Sequence, residues 1–302
     1  MARTNAGATP PDPMLYDLLI APFADFAFMR RALVGSMVLA TGAAPVGVFL
    51  MLRRMSLTGD AMAHAILPGA AVGFLVAGLS LPAMTLGGLV AGTAVALLAG
   101  LVARTTVLRE DASLAAFYLV SLALGVVLVS LRGSNVDLMN VLFGTVLALD
   151  DEALLLLAGV TTVTLLALAA LYRPLVLECF DPNFLRSVSG SGAPTHFVFL
   201  GLVVLNLVAG FQALGTLLAV GIMMLPAVAA RFWTNELAPL IGLSVAFGLG
   251  GSWLGLLVSY HAGVPSGPAI ILACGAIVVV SLVAGSVGGL VARLVPRRHL
   301  EA

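Results

Sequence analysis

The stretch Leu237-Ala-Pro-Leu-Ile-Gly-Leu-Ser-Val-Ala-Phe-Gly-Leu-Gly-Gly-Ser-Trp-Leu-Gly-Leu-Leu-Val-Ser-Tyr260 decides the fold class. It contains no Asp, Glu, Lys or Arg, and the charge-free run continues to Ala292. An α-helix needs roughly 20 apolar residues to cross a bilayer core. The run therefore has room for two crossings, expected at about 238–260 and 268–292. Residues 32–52, 61–103, 112–131, 153–172 and 187–230 are equally free of charge. With 61% hydrophobic and 9% charged residues among 302, the chain has too little polar surface for a soluble domain. A transmembrane barrel would show short alternating segments instead. The expectation is an all-α polytopic transmembrane bundle of eight to nine spans.

Working outward, nine crossings fit: 32–52, 61–79, 82–103, 113–131, 153–172, two short ones within 195–231 divided at Gly210 to Gly215, 238–260 and 268–292. Residues 1–13 carry Pro10, Pro11 and Pro13 and read as a flexible tail, not a cleavable signal. Residues 14–29 mix aromatics with Asp17, Pro22 and Asp25 and suit an interfacial segment. Leu138 to Leu149 is too short to span and suits a re-entrant or surface helix. The domain reading is a tail and interfacial segment at 1–29, a transmembrane domain at 30–293 and a cytoplasmic tail at 294–302.

Arginine placement sets the expected orientation. With the N-terminus outside, Arg53, Arg54, Arg104, Arg109, Arg173, Arg186, Arg231, Arg293, Arg297 and Arg298 fall in the cytoplasm. Only Arg3, Arg30, Arg31 and Arg132 fall outside. Small residues four apart, at Gly69/Gly73, Gly88/Gly92, Gly251/Gly255 and Gly285/Gly289, suit close helix packing in lipid.

Composition also excludes functions. Net charge is zero, which gives no basis for nucleic-acid binding. There is no lysine, so the chain cannot form the Walker A loop of a P-loop ATPase, and any ATP must be held by another chain. Cys179 and Cys274 are too few for a disulfide framework. No catalytic motif is present, and no catalytic residue is assigned.

The polar residues converge on Arg53-Arg54-Met55-Ser56-Leu57-Thr58-Gly59-Asp60-Ala61-Met62-Ala63-His64-Ala65-Ile66-Leu67-Pro68-Gly69. Arg53 and Arg54 read as the cytoplasmic stop of the first span. Asp60 and His64, four apart, share one helix face. A carboxylate and an imidazole are partial ligands for zinc, manganese or iron(II). Asp60 is equally suited to cap a helix starting at Ala61, and His64 to simple packing; spacing alone leaves both readings open. Broken helices line cavities in membrane proteins, so Pro68 belongs to the same argument. The arginine topology puts Asp60 near the cytoplasmic end of its helix. His196, His261 and His299 earn no metal role from position, and Asp150-Asp151-Glu152 reads as a solvated helix cap.

Residues 53–69 together resemble the signature of the permease subunits of ABC importers for zinc, manganese or iron. Four further stretches agree: Asn135 to Gly144, Phe180 to Phe184, Gly215 to Arg231, and Ser259 to Pro268. The resemblance spans about 30–292, with 1–29 outside the pattern. It implies two permease copies, cytoplasmic ATP-binding subunits and an extracytoplasmic metal-binding protein. It further implies that Asp60 and His64 lie on the metal path, with no permanently bound cofactor, and that the loop at Phe180, Asp181 and Pro182 docks on the ATPase. A prokaryotic cell membrane follows as the expected location. The competing classes are an ion-coupled secondary transporter, which would need titratable groups deep in the membrane, and a passive channel.

Overall fold

The computed structural model describes residues 13–78, 80–108, 110–131, 146, 149–180 and 192–291. Of the sequence expectations, the 1–12 tail, most of the Leu138–Leu149 run, Asp181, Pro182 and the 294–302 tail lie outside these residues.

Two short helices, α1 (Pro13–Leu19) and α2 (Ala21–Asp25), lead into α3 (Ala27–Leu52). Then follow α4 (Thr58–Ala65), α5 (Leu67–Ala77), α6 (Leu81–Thr105) and α7 (Glu110–Leu131). The remainder is α8 (Asp151–Phe180), α9 (Gly192–Leu214), α10 (Thr216–Arg231), α11 (Leu237–Ala262) and α12 (Ser266–Ala284). Among the described residues eight segments are long and apolar enough to cross a membrane, counting α4 and α5 as one. The ninth apolar helix, α10, has only 16 residues. The chain is a multi-pass helical membrane protein.

Helix α3 is the centre of the bundle, in contact with α8, α9, α10 and α11. Its Phe49 meets Phe199 of α9 edge-on at 6.3 Å and Tyr172 of α8 at 6.5 Å. Gly47 lets α3 lie directly on α10, where a Cβ would collide with the Met223 carbonyl. Hydrocarbon tails give no hydrophobic push between helices, so close approach and hydrogen bonds must hold them. Gly69 and Gly87 meet backbone to backbone in the same way, and Gly251 and Gly255 rest on Cys274 and Ile270. Thr161 donates to the Val38 carbonyl at 3.0 Å, while buried Asn206 donates to Thr164 Oγ1 at 2.7 Å.

Several boundaries differ from expectation. The first spanning helix begins at Ala27, not 32, carrying Arg30 and Arg31 outward to Ala24 and Asp151. The break in 195–231, by contrast, falls within the expected Gly210–Gly215 division, at Gly215, whose φ of 97° favours glycine. Helix α8 runs through Pro174 to Phe180, where a polar connection was expected from 173. A proline inside a helix need forfeit only one backbone bond, and the apolar pattern around it sustains the turn. The last span ends at Ala284, well short of 292. The glycine-rich segment after it turns back, with Val287 N–H donating to the Phe232 carbonyl at 3.0 Å and Ser286 to that of Trp233 at 3.0 Å. Gly285 and Gly289 therefore serve this turn, not a helix interface. Asp150 caps α8 as expected, accepting from Ala153 N–H at 2.8 Å.

Candidate functional site

Helix α4 is an eight-residue segment between two joints. At its start, Arg54 has φ of 60°, the only non-glycine residue with positive φ among those described. At its end a turn at Ile66, itself still helical in φ and ψ, separates α4 from α5, and Pro68 has no N–H to give to the His64 carbonyl. Neighbouring helices fix this break. Ser121 of α7 donates to the Ala65 carbonyl at 3.0 Å, and Gly125 admits the Leu67–Pro68 backbone. Gly88 and Gly92 of α6 seat the Ile66 side chain, so this glycine pair shapes the site as well as the bundle.

Asp60 and His64 share a face of α4, as their spacing requires. Asp60 is not the helix cap: α4 begins at Thr58, the flanking Leu57 makes no side-chain cap, and Asp60 lies inside the first turn. Its carboxylate is 65% exposed and lies 3.8 Å from His64 Nε2. That distance is beyond a hydrogen bond. Two ligands each about 2.1 Å from one ion would lie roughly 3 Å apart, a small side-chain adjustment away. The His64 ring stacks on Tyr118 of α7, centroids 6.1 Å apart, and its Nδ1 is buried without a partner among the described residues.

Two clefts meet at Asp60, and His64 lines the larger of them. One, of about 390 Å³, is lined by Asp60, His64, Thr216, Val220, Met224 and Ile271. The other, about 160 Å³, lies between Asp60 and the start of α7 at Asp111, Leu114 and Tyr118. Gly59 faces Met223 and Met224, seven or eight residues before Arg231 on α10. Asp60 lies in the first turn of α4, near that end of the helix where the arginine topology expects it. Among the described residues no three His, Cys, Asp or Glu side chains gather to hold an ion. The chain offers two ligands and room for others.

A second polar cluster stands at the same end of the bundle. Arg53 Nη2 lies 2.5 Å from Glu178 Oε1, with the side chains 7% and 11% exposed. His196 Nδ1 is 3.2 Å from Arg53 Nη2, and the guanidinium lies 4.9 Å from the Phe199 ring centre. Arg53 is therefore more than the cytoplasmic stop expected of it; of the two arginines Arg54 keeps an exposed position. The local sequence carries no signal for this cluster, because its partners lie 125 and 143 positions away. Tyr118 and Ser121 were also unforeseen, although Leu114, Tyr118, Ser121 and Gly125 make a stripe at helical spacing. Phe180 ends α8.

Comparison with known proteins agrees with this architecture. The family described as "ABC 3 transport family" matches residues 25–285. The manganese import system permease protein ScaB of Streptococcus gordonii is 33% identical over 257 residues, covering 85% of this chain and 91% of ScaB. The chelated iron transport system membrane protein YfeD of Yersinia pestis is 29% identical over 270 residues, 89% of each chain. The solved structure titled "PsaBC from Streptococcus pneumoniae in complex with Fab" superposes with a TM-score of 0.81 at 29% identity, covering 93% of this chain and 100% of the other. With a multi-pass helical bundle matched nearly end to end, the chain belongs to the ABC 3 transport family.

Proposed function

We propose that this chain is the membrane-spanning permease of an ATP-driven importer that carries a divalent transition metal into the cytoplasm of a prokaryote. The observation that carries the reading is the Asp60–His64 pair: a carboxylate and an imidazole 3.8 Å apart beside Pro68, sharing one cleft, with Asp60 opening on a second. Ionisable groups at such a place are costly and mark transport paths. Manganese is the first cargo to test, because ScaB is named for it and a carboxylate–imidazole pair suits it. Iron(II), suggested by the name of YfeD, and zinc are the comparison ions.

ATP hydrolysis belongs to separate cytoplasmic subunits, since this chain has no lysine for a Walker A loop. An extracytoplasmic binding protein delivers the ion, and a second permease copy faces the exposed Asp60 to complete the translocation path. The loop after Phe180, including Asp181 and Pro182, docks on the ATPase. The metal is cargo, and the permease itself performs no chemistry on it.

The test is ATPase activity and ion uptake by the assembled complex in liposomes, with manganese, iron(II) and zinc compared. Metal-dependent stimulation of hydrolysis, with uptake abolished by a nucleotide-site mutation in the partner, is the expected result. Uptake by this chain alone under a proton gradient would establish ion-coupled secondary transport instead, and ATP-independent uptake a channel.

A further inference from the structure

The Arg53–Glu178 pair does something that packing alone does not require. A buried ion pair gains little over well-packed apolar residues of similar size, because desolvation offsets the attraction. Here Arg53 Nη1 and Glu178 Oε2 are moreover buried without partners among the described residues. Such a pair stabilises poorly and specifies geometry well, the register role best attested for buried ions.

Its position supplies the geometry. Arg53 caps α3, Glu178 stands in the last turn of α8, and His196 lies near the start of α9. The next residue after Arg53 is Arg54, held in the left-handed region where a side chain is strained. Beyond the short link begins α4, whose other end is the break at Ile66. Thus α4 follows a strained joint at Arg54, and the residue before that joint is tied to the end of α8 by an ion pair, beside the packing of Phe49 on Tyr172. A displacement at the end of α8 reaches Asp60 through Glu178, Arg53 and seven residues of chain. Packed elements with two discrete arrangements are what carry coupling between sites.

We infer that Arg53 and Glu178 form a positioning clamp that sets where α4 places Asp60 and His64, so that cargo passage follows the state of the α8 end. Neither residue touches the ion. The inference rests on the reading of Asp60 and His64 as cargo-contacting residues.

The experiment uses the full complex, with its ATPase subunits and binding protein, in liposomes supplied with manganese. The readout is ions imported per ATP hydrolysed. The double substitution Arg53→Met with Glu178→Met removes both charges together and leaves neither buried alone. It is expected to assemble, melt like the parent and hydrolyse ATP, while importing roughly tenfold fewer ions per ATP, a typical size for a coupling free energy. The exchange Arg53→Glu with Glu178→Arg should recover part of the ratio. A parent-like ratio in the double substitution overturns the clamp; so does failure of that protein to assemble, which would make the pair ordinary structural support. Asp60→Ala, run alongside, keeps the two readings apart. Normal import by Asp60→Ala defeats the cargo site itself, whereas loss of import there with a parent-like double substitution defeats only the clamp.

Discussion

Ser121 donates its hydroxyl to the carbonyl of Ala65 at 3.0 Å, joining the middle of α7 to the last residue of α4. The contact lies beside the gap that Pro68 leaves: without an N–H, Pro68 gives nothing to the His64 carbonyl, and Ala65 is the next residue. An unpaired carbonyl in an apolar bundle costs about 1–3 kcal/mol, so a break in a spanning helix needs an outside donor. Ser121 supplies such an outside donor one residue beyond His64.

Ser121→Ala should therefore lower the stability of the detergent-solubilised complex by about 1–2 kcal/mol, read as a drop in melting temperature. Ser121→Thr keeps the hydroxyl and should recover most of it. An unchanged melting temperature for the alanine variant would mean that another group satisfies the Ala65 carbonyl.

Asp60→Ala and His64→Ala should each abolish manganese uptake while leaving expression and assembly intact. Their environment supports this separation of effects. Asp60 is 65% exposed and makes no cap, so its removal takes little from the fold. His64 contributes chiefly a stack on Tyr118. Ion uptake and co-purification with the ATPase subunit, measured on the same preparations, check both halves. Normal uptake by both variants would return the pair to a packing role.

The fold was legible because composition and charge-free length are properties of single segments, and the bilayer converts them directly into helices. The pair Asp60–His64 was legible because i, i+4 spacing needs no tertiary knowledge. The rest was not. Glu178 sits in a stretch that reads as a polar connection until Arg53, 125 positions earlier, is seen beside it. Arginine counting gave Arg53 only a topological role, because a count carries no burial. The packing of Gly59 against Met223 and Met224 is a contact between helices that no local pattern encodes. The close of the last span at Ala284 follows from a turn docking on Phe232 and Trp233, again a tertiary event.

Two glycine substitutions should separate packing from propensity. A Cβ at Gly47 would collide with the Met223 carbonyl, and backbone cannot step aside as a side-chain tip can. Gly47→Ala should force α3 and α10 apart and cost about 1–3 kcal/mol or more. Gly159 on α8 has nothing within 4 Å of the added carbon. Gly159→Ala should be neutral or stabilising by up to about 1 kcal/mol through helix propensity. Melting temperatures of the two variants, measured in one detergent, decide the matter; equal destabilisation would show that Gly159 is also an interface residue in the assembled transporter.

Tyr118 offers the finest test of the site, because it touches His64 without being a ligand of the kind proposed. Its ring lies nearly parallel to the imidazole, 28° between planes with centroids 6.1 Å apart. Stacking of this kind is worth about 0.5–1.5 kcal/mol beyond area burial. Without it the imidazole is free to swing from the orientation that faces Asp60. Tyr118→Ala should raise the manganese concentration for half-maximal uptake by roughly twofold to tenfold, the equivalent of that stacking energy, with a smaller effect on the maximal rate. Tyr118→Phe keeps the ring and should behave like the parent, because stacking and not the hydroxyl is the operative contact. If phenylalanine fails as badly as alanine, the phenol oxygen acts directly, and Tyr118 belongs among the groups lining the ion's path beside Asp111 and Leu114.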